Sequence, residues 1–205
     1  LAQCLEYGLH KHIEKIEETC VNASKEYSLE KAFDAMEEEW KDLKFNAKEY
    51  KDTGTYILSG VDDIQQVLDD QIVRTQAMRG SRYIGPFQER CGKWEKTLND
   101  LQEIIDSWLT MQGTWLYLEP IFSSDDIKKQ MPKEAKRFAQ VDKTFRDSMA
   151  QCVENPSVIA VATTEGLLDK LLKANELLDI IQKGLTDYLE TKRVFFPRFF
   201  FLSND

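Results

Sequence analysis

Leu167-Leu-Asp-Lys-Leu-Leu-Lys-Ala-Asn-Glu-Leu-Leu-Asp-Ile-Ile-Gln-Lys-Gly-Leu-Thr-Asp-Tyr188 places Leu167, Leu171, Ala174, Leu178, Ile181, Leu185 and Tyr188 in strict four-three order. That spacing keeps one face of an α-helix apolar, as in a heptad seam. Caps and proline breaks stand on both sides of it, so it reads as one helix of a bundle rather than a freestanding coiled coil.

The preceding segments repeat the period. Pro132 opens a helix with Phe138, Val141, Phe145, Met149 and Cys152 on its stripe, Asn155-Pro156 ends it, and a short apolar run follows from Val158 to Ala162. Before that comes the longest run, with Phe87, Cys91, Trp94, Leu98, Leu101, Ile105, Trp108 and Trp115 in step and Gln112 at its one polar stripe position. About thirty residues at 1.5 Å each give roughly 45 Å of helix. Gly113 lies near its end and Pro120 is expected to close it, so any bend belongs between Gln112 and Pro120. Ser123-Ser-Asp-Asp126 has the spacing of a capping box, with Asp in place of Glu, ahead of a short helix ending at Met131-Pro132.

Nearer the start, Leu5, Leu9, Ile13, Ile16 and Cys20 share one stripe of a helix predicted to stop near Asn22. Ser28 then caps a second helix with Leu29, Phe33, Met36, Trp40 and Leu43 on its stripe, while Glu37, Glu38 and Glu39 form a solvated face. Val61 begins a third helix running to about Met78, with Asp62 and Asp63 in its first turn against the positive end of the dipole. Gly80-Ser-Arg-Tyr-Ile-Gly85-Pro86 is a breaker before the long run. Trp40, Trp94, Trp108 and Trp115 are the expected core anchors.

One stretch departs from the helical period. From Lys44 to Ser59, Phe45, Tyr50, Thr55, Tyr56, Ile57 and Leu58 flank Asp52-Thr53-Gly54. Aromatic and β-branched residues around a glycine turn predict a β-hairpin, with Gly54 at positive φ. Two strands alone are marginal in water, so this hairpin must lean on helices or be offered to a partner. The fold class is therefore mainly α, elongated antiparallel helical bundles with one small β-hairpin. The expected division is 1–86, carrying the hairpin, and 87–205, the long-helix bundle, or one continuous rod.

Charge and motif content exclude several functions. Lys+Arg 27 against Asp+Glu 36 gives a net charge of -9, which repels a phosphate backbone or an anionic lipid surface. No segment has the length of a membrane span. Cys4, Cys20, Cys91 and Cys152 never approach a C-x-x-C spacing, which removes the common zinc and redox signatures. A Walker A loop is missing: Gly80 and Gly85 are followed by Pro86-Phe87, which supplies neither the N–H donor nor the lysine. His10 and His12 are two apart on a helix and cannot chelate one ion together, and no other histidine is present to serve as a base. Asp62, Asp63, Asp69 and Asp70 line one helix but have no recognisable apolar pocket to raise a carboxyl toward neutral pH. No catalytic, cofactor or metal site is expected.

The last stretch crowds Val194, Phe195, Phe196, Phe199, Phe200, Phe201 and Leu202 around Pro197 and Arg198. Such an apolar end requires cover, so the chain reads as a piece of a longer polypeptide with a further domain after it.

Three blocks carry a resemblance to a known family. They are Tyr50-Lys-Asp-Thr-Gly-Thr-Tyr-Ile-Leu58 with Val61-Asp-Asp-Ile64 and Thr75-Gln-Ala-Met-Arg-Gly-Ser81; Trp115-Leu-Tyr-Leu-Glu-Pro-Ile-Phe122 with Asp126-Ile127, Met131-Pro132 and Phe138-Ala-Gln-Val-Asp142; and Tyr188-Leu-Glu-Thr-Lys-Arg193 with Phe196-Pro-Arg-Phe-Phe-Phe-Leu-Ser-Asn204. Together they resemble the linker of dynein heavy chains of the axonemal type, from about Leu29 onward. Phe145 departs from the family, which often has Trp there.

The resemblance implies a mechanical role: the C-terminal part of a lever of helical bundles arching over a ring of AAA+ modules in a microtubule motor of cilia and flagella. It implies no nucleotide in this segment, with ATP and Mg expected in AAA+ modules downstream. The partners implied are the ring of the same heavy chain, with microtubule and dynein subunits reached only through the parent. The candidate hinge residues are Gly80, Gly85, Pro86, Gly113 and Pro120. Asp52, Thr53 and Gly54 are the candidate ring contact, and Phe196, Pro197, Arg198, Phe199 and Phe200 the candidate junction to the first AAA+ module. Phe199 and Phe200 are expected to be poorly covered. A static helical scaffold for a protein partner is the alternative.

Overall fold

In the computed structural model, the described residues are 12–195 together with Gly8 and Arg198. The elements in chain order are α1 (Ile13–Glu39), β1 (Asn46–Tyr50), β2 (Thr55–Ser59), α2 (Asp62–Arg79), a 3-10 turn at Gly85–Phe87, α3 (Gln88–Ser123), α4 (Asp125–Gln130), α5 (Pro132–Glu154), α6 (Val158–Ala162) and α7 (Leu167–Phe195). This is the expected mainly helical class with one antiparallel hairpin.

Three boundaries differ from the sequence expectation. The two helices predicted on either side of Asn22 are one helix, α1, ending at Glu39 and leaving Leu43 beyond it. The segment has neither Gly nor Pro to break it, and the Ser28 hydroxyl donates back to the Ser24 carbonyl at 2.8 Å rather than capping a new start. Pro120 does not close α3, which continues to Ser123. Its missing N–H removes one bond from the ladder, but Leu118 and Phe122 extend the buried stripe, and Phe122 stacks on Phe138 with centroids 5.1 Å apart. The capping box at Ser123 does not form. Ser123 is the last residue of α3 and its hydroxyl donates to the Glu119 carbonyl at 2.8 Å, while Ser124 takes the N-cap position of α4 without a side-chain bond.

The chain forms two compact units, residues 1–43 with 62–99 and residues 44–61 with 100–205, so the boundary falls inside α3. In the first unit, Phe33 and Met36 of α1, Trp40 just past its end, Ile64 and Leu68 of α2, and Cys91 and Leu98 of α3 are buried. Two polar clasps join its helices. Trp40 Nε1 donates to Gln71 Oε1 at 2.6 Å, and Gln71 Nε2 donates to the Met36 carbonyl at 3.2 Å and to Glu39 Oε2 at 2.8 Å. Arg90 makes a bidentate pair with Glu37 at 3.0 and 2.9 Å, reaches Asp34 at 3.0 Å, and lies over the Phe33 ring. These carboxylates hold the Arg90 guanidinium firmly in its charged form, the Glu37 bond contributing most.

The second unit is organised on α3, α5 and α7. Ile104, Trp108, Met111, Trp115 and Leu118 of α3 are buried, as are Phe138, Val141, Phe145, Met149 and Cys152 of α5. From α7, the whole seam from Leu167 to Leu185 is buried at the expected four-three positions, while Tyr188 is half-buried. α5 meets α7 closely at Gly184, where an added Cβ would lie 3.0 Å from Glu134 Cγ and the Glu134 side chain would have to shift. Trp40, Trp108 and Trp115 are at most 1% exposed and act as core anchors, whereas Trp94 is only half-buried.

The hairpin pairs Asn46 with Ser59, Lys48 with Ile57 and Tyr50 with Thr55. Gly54 has φ 67°, as its turn position requires, and Lys51 also has positive φ, 47°, which is uncommon for a residue with a side chain. Ahead of β1, the Phe45 N–H donates to the Pro156 carbonyl at 2.8 Å beside an antiparallel bridge from Lys44 to Ser157.

Candidate functional site

The hairpin is the one β element among the described residues, and side chains of α3 and α5 hold it at its base and at its turn end. At the base, the Leu58 N–H donates to Gln112 Oε1 at 2.7 Å and Gln112 Nε2 donates to the Leu58 carbonyl at 3.0 Å. A primary amide offers both partners that a neighbouring strand would offer, so Gln112 completes the outer edge of β2 at this residue. It does so while 8% exposed, in a position where an unpaired backbone group would cost about 1–3 kcal/mol.

At the turn end of β1, the Tyr50 ring meets the Trp115 ring edge-on at 5.4 Å, and Trp115 stacks on Phe145 at 4.4 Å. Trp115 Nε1 donates to Asp142 Oδ1 at 3.0 Å. Arg146, one turn along α5, donates through Nε to both Asp142 oxygens at 3.0 and 2.9 Å. Its Nη1 then donates to the Thr53 carbonyl at 2.9 Å, which fixes the hairpin tip. The tip turn is also closed internally, because the Thr53 N–H donates to the Tyr50 carbonyl at 3.3 Å.

Of the candidate tip residues, Thr53 is thus tied to α5 through its backbone, while Asp52 is exposed and Gly54 shapes the turn. Among the candidate hinge residues, Gly80 ends α2 with its N–H on the Gln76 carbonyl at 3.2 Å, and Gly85 and Pro86 lie in the 3-10 turn. Gly113 sits inside α3 with open space where a Cβ would be, and Pro120 lies in the last turns of the same helix. Of the candidate junction, Arg198 is exposed, and Phe196, Pro197, Phe199 and Phe200 lie outside the described residues, as does the expected poor cover of Phe199 and Phe200.

The residues that brace the hairpin were only partly legible. Gln112 announces itself as a polar residue on an otherwise apolar stripe. Arg146 does not, because an Asp142-to-Arg146 spacing reads as an ordinary surface pair on a helix.

Nothing else in the described residues assembles into a reaction centre. A cavity of about 360 Å³ is lined by Trp108, Ser148, Cys152, Val161 and Leu167 among others, and burial pushes the Cys152 thiol up to about 11. That thiol is a poor nucleophile at neutral pH. Asp62, Asp63, Asp69 and Asp70 are all exposed, and Asp70 pairs with Arg74 at 2.8 Å. No group of three or more His, Cys, Asp or Glu able to hold a metal occurs among the described residues, and no described helix is long and apolar enough to cross a membrane.

Comparison with known proteins gives the same assignment from two directions. The family described as dynein heavy chain, N-terminal region 2, matches residues 1–205. The chain is 52% identical over 205 residues to dynein axonemal heavy chain 12 of Rattus norvegicus, covering 100% of this chain and 7% of the relative. It is 52% identical over 205 residues to dynein axonemal heavy chain 3 of Mus musculus, and 50% identical over 204 residues to dynein axonemal heavy chain 1 of the same species; in both cases it covers 100% of this chain and 5% of the relative. It therefore spans a small part of the length of the relatives it matches. A mainly helical chain with one braced hairpin, matched along its whole length, this protein belongs to the dynein heavy chain family, within N-terminal region 2 of its axonemal members.

Proposed function

We propose that this region is the C-terminal part of the linker of an axonemal dynein, a lever that carries ATP-driven change in the AAA+ ring to the tail of the motor. The observation that supports it most is the bracing of the hairpin. Arg146 and Trp115 at the turn end and Gln112 at the base connect the hairpin to α3 and α5. A force applied at Asp52–Gly54 is then passed into packed helices rather than absorbed by a loop, which is what a lever contact requires. In this reading the hairpin tip meets the ring, and the chain past Pro197 enters the first AAA+ module. Flexing is confined to the Gly80–Pro86 turn or the Gln112–Pro120 part of α3. ATP and Mg are bound in the AAA+ modules and not in this segment, and the motor works on microtubules of the ciliary or flagellar axoneme. Nucleic acid and membrane are not partners.

The test is made in a full-length axonemal heavy chain. Shortening the tip at Asp52–Gly54, or replacing Arg146 with Lys, is expected to lower microtubule gliding velocity several-fold while the ring still hydrolyses ATP. Unchanged velocity and unchanged turnover in both variants overturn the lever contact, and leave the static scaffold as the better reading.

A further inference from the structure

The cavity of about 360 Å³ lies wholly among residues of the second unit, and its size suits a small organic molecule. Its inner wall is apolar, with Trp108 of α3, Cys152 of α5, Val161 of α6 and Leu167 of α7 all buried. Its mouth is polar, since Gln151, Glu154 and Thr164 are exposed. Two polar groups on the lining are left without partners. Trp108 Nε1 is buried and meets no acceptor among the described residues, and the hydroxyl of Ser148, a residue only 4% exposed, makes no hydrogen bond among them. Both groups can donate and buried donors are normally paired, so what this wall lacks is an acceptor. Charge at the mouth is one-sided. Among the described residues lining the cavity, Glu154 is the one charged side chain, and it is in no ion pair with the others. It is also the last residue of α5, which has no basic residue in its last turn, so the negative end of the helix dipole stands at the same place without a cation.

We infer that this cavity is a binding site for a small organic ammonium ion with an apolar body and one hydrogen-bond acceptor. The body fills the space beside Trp108, Val161 and Leu167, and the acceptor takes the donor of Trp108 or Ser148. The ammonium pairs with Glu154 and with the last carbonyls of α5. Size and lining exclude a macromolecule, and the single carboxylate at the mouth selects against an anion. A neighbouring hollow that shares Ser148 and Gln151 carries Lys143 and Lys170 beside Asp147, so an anion drawn to those lysines is the competing outcome. The site is independent of the lever reading.

Hydrogen exchange read by mass spectrometry on the full-length heavy chain tests it, with three probes of one shape: para-methoxyphenethylamine, its uncharged N-acetyl derivative and para-methoxyphenylacetate. The amine is expected to slow exchange in peptides covering residues 148–167, half-maximally below about 1 mM. The other two should need at least about tenfold more, because each forfeits the carboxylate and the dipole. Exchanging the methoxy group for ethyl removes the acceptor at similar size and should weaken protection several-fold. Glu154→Gln, at the exposed end of α5, should raise the half-maximal amine concentration about fivefold. Thr164→Trp, which fills the mouth, should abolish the effect. No protection by the amine, equal protection by the N-acetyl derivative or the ethyl analogue, stronger protection by the acetate, or indifference to either substitution overturns the site. The probe series runs on the unaltered chain, so a variant that fails to fold leaves the outcome decided.

Discussion

Among the described residues, each of the two units buries one glutamine, and the two are used differently. Gln71, 0% exposed, links side chain to side chain and helix to helix, with Trp40 donating to it and the Met36 carbonyl receiving from it. Gln112, 8% exposed, links a side chain to both backbone groups of one strand residue. The first joins two helices and also serves one backbone group, the Met36 carbonyl in the last turn of α1. The second supplies a strand edge with what no neighbouring strand provides. A helix that is broken free of Gln71 keeps its internal ladder and loses one backbone partner, at Met36, whereas a hairpin broken free of Gln112 is left with both backbone groups of Leu58 unpaired in a dry place. The hairpin unit therefore depends more heavily on a single side chain.

That contrast can be broken by measurement. The largest effect is expected from Gln112→Leu, which retains apolar packing but orphans the Leu58 N–H and carbonyl. About 3 kcal/mol of stability should be lost, with hydrogen exchange at Leu58 and its strand neighbours rising toward that of a free chain. A loss below about 1 kcal/mol means the edge is satisfied by water and the comparison fails.

Gln71→Leu should be milder, about 2 kcal/mol, since the main group left unpaired is the Trp40 indole N–H. Combining it with Trp40→Phe sharpens the point. The double variant removes donor and acceptor together and should lose about 1 kcal/mol less than the sum of the singles in a denaturation cycle. Strict additivity would show that the bond is not what makes Gln71 matter.

The smallest effect is on pH dependence. Burial raises the thiol pKa of Cys91 in the first unit and of Cys152 in the second, the latter to about 11 from an ordinary 9.0. A thiol held protonated by the fold stabilises fully below pH 9, and that contribution disappears as pH rises from 9 toward 11, because the unfolded chain ionises first. Cys152→Ala should flatten the alkaline decline in melting temperature more than Cys91→Ala. The reverse order would contradict the larger upward shift at Cys152.

What could be read beforehand was periodicity. The α7 seam from Leu167 to Leu185, the α5 stripe from Phe138 to Cys152 and the hairpin around Gly54 all follow from spacing, because each is fixed by local geometry and a simple need for burial. What was misread depends on contacts that spacing does not encode. A serine in mid-helix can cap or bond backward, and Ser28 does the second. A proline near a helix end can stop it, but Pro120 is overridden by Phe122 packing on Phe138. The brace at the hairpin tip was invisible because it joins Thr53 to Arg146 across distant parts of the chain, and no local pattern links the two. The N-terminal stripe was legible as a stripe, but not that Ile13, Ile16 and Cys20 on it are exposed.

The bond from Phe45 to Pro156, with the bridge from Lys44 to Ser157 beside it, has a consequence for how the polypeptide is made. Synthesis runs from the N-terminus, so both strands leave the ribosome well before Gln112, then Arg146, and last Pro156. Two strands cannot hold themselves in water. The nascent chain therefore carries an open hairpin through most of the translation of this region. The hairpin becomes secure only when the residue that closes the ring of contacts arrives, which makes the interval between Ser59 and Pro156 the window in which a chaperone has something to bind.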